Sequence, residues 1–112
     1  MSEIRLNAYH IMWIFVFFDL PTYTKTDRKN ASKFRLLLEK DGFAMMQFSV
    51  YIRYCGSLES VKVHIKRVQS FMPDKGTISV LTITDKQYAS IINCWGKAEK
   101  KKLQVPMQLE IF

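Results

Sequence analysis

A chain of 112 residues holds one domain. At that size, folding hides only ~65% of the surface that the unfolded chain exposes, so a site in a groove, on an edge or across a subunit boundary is expected over a deep enclosed pocket. Hydrophobic residues at 48% and charged residues at 24% exclude disorder of the whole chain. Seventeen Lys and Arg against ten Asp and Glu give a net charge of +7, which points first to nucleic acid as partner, with an anionic membrane surface or an acidic protein as rivals.

The first eleven residues read as an N-terminal extension. Glu3, Arg5, Asn7 and His10 make them too polar for the apolar segment of a secretory signal. The apolar run from Ile11 to Phe18 is far too short to cross a bilayer, so no membrane association is expected. Cys55 and Cys94 form no C-x-x-C pair, and a cytoplasmic protein with free thiols is expected. Trp13 to Phe18 is apolar at every position, the pattern of a central strand covered on both faces, and Pro21 ends it. A helix follows, capped by Thr24, Thr26 or Asp27, with Ala31, Phe34, Leu37 and Leu38 as its apolar stripe and Gly42 as its stop.

Phe43 to Arg53 is extended, with Met46, Phe48, Val50 and Ile52 alternating against Gln47, Ser49, Tyr51 and Arg53. Eleven residues is long for one strand, so two strands with a sharp bend near Gln47–Ser49 are expected. Ser57 caps a second helix whose buried stripe is Leu58, Val61, Ile65, Val68 and Met72. Pro73-Asp74-Lys75-Gly76 is a turn, and Thr77 to Thr84, rich in β-branched residues, is a strand. The order strand, helix, strand, strand, helix, strand is that of an α+β, ferredoxin-like β-α-β-β-α-β domain, here residues 12–95. Two helices cover one face of its sheet; the other face has no cover from this stretch, and a second copy of the chain would supply it. Residues 96–112 read as a basic linker and a C-terminal strand, Gln108 to Phe112, that pairs with a sheet edge, expected to be that of a partner subunit.

Few residues carry candidate chemistry. His10 and His64 lack neighbours at metal-ligand spacing, and no glycine-rich phosphate loop exists. Asp19 stands where the central strand emerges. It either caps the turn at Pro21 or ligates Mg²⁺, which needs only one or two carboxylates; two copies around a twofold axis would provide two. Lys25, Arg28, Lys29, Lys33 and Arg35 crowd the first helix with only Asp27 to offset them, and are either a solvated face or a line of phosphate contacts. Phe48 and Tyr51 are core or interface residues, or stack on bases.

The ordered set Met12 to Pro21, Asp27-Arg28-Lys29, Lys33-Phe34-Arg35, Asp41-Gly42-Phe43, Met46 to Tyr51, Val63 to Val68, Gly76, Leu81 to Gln87 and Gln108 to Phe112 resembles the CRISPR-associated protein two family, most closely the members that accompany type II systems. The resemblance implies a ferredoxin-like homodimer whose C-terminal strand, through Leu109, Ile111 and Phe112, joins the partner's sheet. It implies a complex in which one homodimer bridges two dimers of the CRISPR spacer integrase (CRISPR-associated protein one) around a fragment of double-stranded DNA. It also implies a Mg²⁺-dependent endonuclease, acting on RNA or on double-stranded DNA, whose metal-binding and catalytic acid falls on Asp19. In many members a tyrosine precedes that acid; here Phe18 does. The reading taken from the sequence is a dimeric DNA-binding scaffold for spacer acquisition. The alternatives are the endonuclease and an RNA-binding interferase dimer unrelated to CRISPR.

Overall fold

The computed structural model describes residues 11–98. The expected N-terminal extension, save Ile11, and the C-terminal strand with Leu109, Ile111 and Phe112 lie outside the described residues. Strands β1 (Met12–Asp19), β2 (Ala44–Gln47), β3 (Val50–Cys55) and β4 (Thr77–Thr84) alternate with helices α1 (Lys25–Lys40), α2 (Leu58–Ser70) and a short α3 (Asp85–Ala89). The sheet is antiparallel with order β2-β3-β1-β4, the ferredoxin-like arrangement. The β1 strand is central, with Phe15 opposite Ile52 on one side and Leu81 on the other.

Local chemistry sets the element boundaries. Thr24 and Asp27 form a reciprocal capping box at the start of α1, the Thr24 hydroxyl accepting from the Asp27 N–H and the Asp27 carboxylate accepting from the Thr24 N–H. Ser57 caps α2. Gly42, at φ +90°, takes the left-handed conformation that ends α1. The long extended stretch does divide: Phe48 and Ser49 form the turn between β2 and β3, with Ser49 held at φ 67°, a conformation that glycine or asparagine adopts more cheaply.

Because side chains alternate along a strand, β1 feeds two cores. Ile14, Val16 and Phe18 face α1 and α2 and pack with Phe34, Leu38, Phe43, Tyr51, Val61 and Val68. Trp13 and Phe15 face the other way and pack with Ile52 and Tyr88. The sequence reading left this second face to a partner subunit. The structure covers part of it from within the chain: α3 stacks the Tyr88 ring on the Trp13 indole with centroids 3.9 Å apart, and the indole N–H donates to Asp85 at 2.7 Å. Burial first, and the Asp85 carboxylate second, push the Tyr88 phenol above the usual tyrosine range. On the same face Phe17 and Leu81 remain 39% and 49% exposed.

Two further expectations change. Leu58 does not join the buried stripe of α2, being half exposed in the first turn; the buried positions are Val61, His64 and Val68. The alternation expected for Met46 to Arg53 is broken by the turn and by a register shift between Met45 and Gln47. Within β3 the alternation is regular, and Tyr51 and Ile52 are both buried because each face of the sheet is covered there; Phe48, in the turn, stands out into solvent.

Candidate functional site at the end of the central strand

Asp19 is the last residue of β1, opposite Thr77 of β4. Strand alternation puts it on the same face as Phe17, the face away from α1 and α2. Its side chain is exposed, and none of the three salt bridges among the described residues engages it. It lines an open groove with Leu20, Pro21, Thr22, Tyr23, Gly76 and Thr77. Phe18, the position at which the resemblance implies a tyrosine in many members, points the opposite way. Its ring meets Phe34 edge-on at 5.0 Å and Tyr51 at 5.6 Å in the main core. A hydroxyl there would face the core rather than the groove.

Gly76 forms the groove's wall, a role the sequence reading missed. It sits at φ +104°, and a Cβ placed on it would lie 2.6 Å from Leu20 Cδ2 and 2.9 Å from the Asp19 carbonyl oxygen. The Pro-Asp-Lys-Gly turn signalled a reversal, but not that its glycine lies against the Asp19 backbone. Among the described residues no three His, Cys, Asp or Glu side chains gather as a metal-holding group. Magnesium retains most of its waters and takes one or two carboxylates, so an exposed lone Asp19 would provide one ligand of such a site, and any second carboxylate would have to come from outside the described residues of one chain.

The five cations singled out on α1 divide into two groups. Lys25, Lys29 and Lys33 are exposed and follow one another at four-residue steps, a continuous stripe on the helix surface. Arg28 and Arg35 lie off that stripe with local partners. Arg28 donates to the carbonyls of Thr22 and Tyr23 at 3.2 and 3.3 Å, pinning the loop that forms the groove. Arg35 is half-buried and reaches the Ser32 hydroxyl at 3.4 Å. Tyr51, a candidate stacking residue, is buried beneath the sheet. Burial, and next the Glu39 carboxylate its hydroxyl approaches at 3.4 Å, push that phenol above the usual range.

A polar cluster occupies the opposite end of the sheet. The Asp41 carboxylate, buried at the C-terminus of α1, accepts from His64 Nδ1 at 2.6 Å and from Arg67 at 2.8 Å, while its carbonyl accepts from Arg53 Nε at 2.8 Å. The signal for it was a histidine at a buried-stripe position, three residues after Val61 and four before Val68. Such a side chain needs a partner. No helix among the described residues is long and apolar enough to cross a membrane.

Comparison with known proteins places this architecture. Residues 12–91 match the family model described as CRISPR associated protein Cas2. The chain is 49% identical over 108 residues to a "CRISPR-associated endoribonuclease Cas2" of Flavobacterium psychrophilum, covering 96% of this chain and 94% of the relative. That coverage exceeds what residues 12–112 alone would give, so the match runs into the N-terminal extension. Proteins of the same name from Parvibaculum lavamentivorans and Paracidovorax avenae are 46% and 39% identical, covering 90% and 96% of this chain and 100% and 99% of theirs. With a family match over most of its length and relatives spanning nearly all of it, the chain belongs to the CRISPR associated protein Cas2 family.

Proposed function

We propose that the chain works as a dimeric scaffold in spacer acquisition, holding double-stranded DNA and bridging dimers of the CRISPR spacer integrase. The observation that carries the reading is the Lys25–Lys29–Lys33 stripe. Three exposed ammonium groups at one-turn spacing, with Asp27, the only acid in the first three turns of the helix, buried in the cap, suit a row of phosphates and read no base sequence. Phe17 and Leu81, apolar and exposed on the face that also carries Asp19, are the surface proposed for the second copy. The regular eight-residue edge of β4 is a better acceptor for the C-terminal strand than the short, irregular β2. Binding to duplex DNA is expected to weaken steeply between ~50 and ~200 mM salt. Replacing Lys25, Lys29 and Lys33 by glutamine should flatten the log–log salt dependence by up to about 3 units, since each lost phosphate contact removes about 0.9. Arg28→Gln should act mainly on the loop. Equal salt slopes for the parent and the triple variant would rule the stripe out as the DNA contact.

A second reading rests on Asp19 in its open groove. Two Asp19 carboxylates meeting across a dimer axis would hold Mg²⁺, which when bound supplies Lewis acidity and an activated water for phosphodiester cleavage. The "endoribonuclease" in the relatives' names makes single-stranded RNA the first substrate to try. Asp19→Asn distinguishes the readings. The variant should fold and dimerise at least as well as the parent, because it removes the repulsion between two carboxylates and keeps their shape. Cleavage measured with Mg²⁺ against EDTA should disappear, and spacer acquisition in cells with the integrase should persist. A well-folded Asp19→Asn dimer that no longer supports acquisition would overturn the scaffold and leave the nuclease.

A further inference from the structure

The two most exposed aromatic rings among the described residues lie at the Asp19 end of the sheet. Tyr23 is 90% exposed and lines the groove that Asp19 opens into. Phe48 is 81% exposed at the tip of the β2–β3 turn. That tip is anchored to the same strand end, because the carbonyl of Ser49 accepts the N–H of Phe18 at 3.1 Å. Tyr23 therefore stands on the side of Asp19 shared with β4, and Phe48 on the β3 side.

Both rings are held on fixed backbone. Arg28 clamps the Thr22 and Tyr23 carbonyls, and Ser49 is locked in a left-handed turn conformation. A hydrophobic ring exposed to this degree gains nothing in the folded chain from its apolar surface. Two such rings at one end of the sheet, with Lys25 and Lys29 starting the adjacent helix, match a ligand that is flat and apolar on one side and anionic on the other. Stacked nucleobases on a phosphate backbone have that chemistry, and only a single strand offers its base faces.

We propose that the Asp19 end of the sheet is a single-strand binding subsite in which bases stack on Tyr23 and Phe48, while the backbone of the strand runs to Lys25 and Lys29 at the start of the lysine stripe. The inference rests on the reading of the chain as a nucleic-acid-binding protein, but not on whether Asp19 supports cleavage.

The test uses the full chain and fluorescence anisotropy in EDTA with ~12-nucleotide probes, within the usual site size of such surfaces. The probes are single-stranded RNA, single-stranded DNA of the same sequence, the DNA duplex, and a single strand with abasic sites at its centre. Tyr23→Ala and Phe48→Ala should each weaken single-strand binding by roughly 5- to 30-fold and leave duplex binding within about 2-fold, given the usual worth of one stacked base. Abasic sites should reproduce the loss in the parent and add nothing in the double variant. Tyr23→Phe and Phe48→Tyr should restore binding, because either ring stacks. The RNA and DNA arms identify which single strand the subsite prefers. The inference fails if the alanine variants bind single strands as the parent does, if they lose duplex binding equally, or if Phe48→Ala changes the oligomeric state by light scattering, which would make that ring an interface between copies. If the parent binds none of the four probes, the nucleic-acid reading falls as well.

Discussion

Replacing Gly76 by alanine is expected to lower the stability of the chain by about 2–4 kcal/mol, from a positive-φ penalty and a steric clash together. The midpoint of thermal unfolding should fall by roughly 10–25 °C, at ~4–8 °C per kcal/mol for a domain of this size. Two costs coincide at this position. At φ +104° an L side chain meets its own backbone, and the new methyl would lie 2.9 Å from the Asp19 carbonyl oxygen and 2.6 Å from Leu20 Cδ2. Leu20 can rotate away. The carbonyl is less free, because Asp19 is main chain paired with Thr77 of β4, the strand that Gly76 leads into. The strain therefore passes into the Asp19 backbone, and ligand binding in the groove should weaken at temperatures where the variant is still folded. Gly56→Ala is the matched control. That residue has open space where a Cβ would go and no positive φ, so its replacement should change stability by no more than about 0.5–1 kcal/mol, in the stabilising direction if at all. Comparable melting curves for the two variants would mean that Gly76 does not pack against β1 as described.

What could be read from the sequence was local. Trp13 to Phe18 announced a central strand because every position was apolar, and each of those residues other than Phe17 is indeed buried on one face or the other. Ser57, and the group of candidate caps at Thr24, Thr26 and Asp27, announced helix starts, because capping is settled within four residues; that Thr24 is the cap and Asp27 its reciprocal partner came from the structure. Thr77 to Thr84 was read to its ends. Contacts that join distant positions were not legible. Nothing around Tyr88 says that it folds back 75 positions to lie on Trp13, so the second face seemed to need a partner over its whole area. Leu58 looked like part of a helical stripe, but in the first turn of α2 it overhangs the edge of the core. At the site, Asp19 and the lysines were visible as residue types in place. The separation of Arg28 and Arg35 from the lysine stripe was not, because it depends on which carbonyls and hydroxyls fall within reach of each guanidinium.

Asp41→Ala should destabilise the chain by about 2–4 kcal/mol, the range for removing one partner of a buried charged hydrogen-bond pair. A carboxylate at the C-terminus of a helix faces the negative end of the helix dipole and is unfavourable there by itself. Asp41 is kept by what surrounds it. Its side chain is 6% exposed, His64 Nδ1 donates to one oxygen at 2.6 Å, and Arg67 donates to the other at 2.8 Å. A carboxylate only accepts, so Nδ1 carries the hydrogen. Alanine removes both acceptor oxygens and strands a buried imidazole N–H on α2. The arginine is much less affected, since its side chain is 55% exposed and water replaces the lost oxygen. Arg67→Ala should therefore cost no more than about 1 kcal/mol. Urea unfolding of Asp41→Ala, His64→Phe and the double variant should give a coupling of about 1–3 kcal/mol, because a phenyl ring in place of the imidazole leaves no donor to strand. Arg53 should hold its place in every variant, as it bonds the Asp41 main chain rather than the side chain. The cluster lies at the end of the sheet remote from Asp19, so single-strand and duplex binding by folded Asp41→Ala should match the parent. A coupling near zero would show that His64 finds another partner. A loss of nucleic-acid binding without loss of fold would show that the two ends of the sheet are not independent.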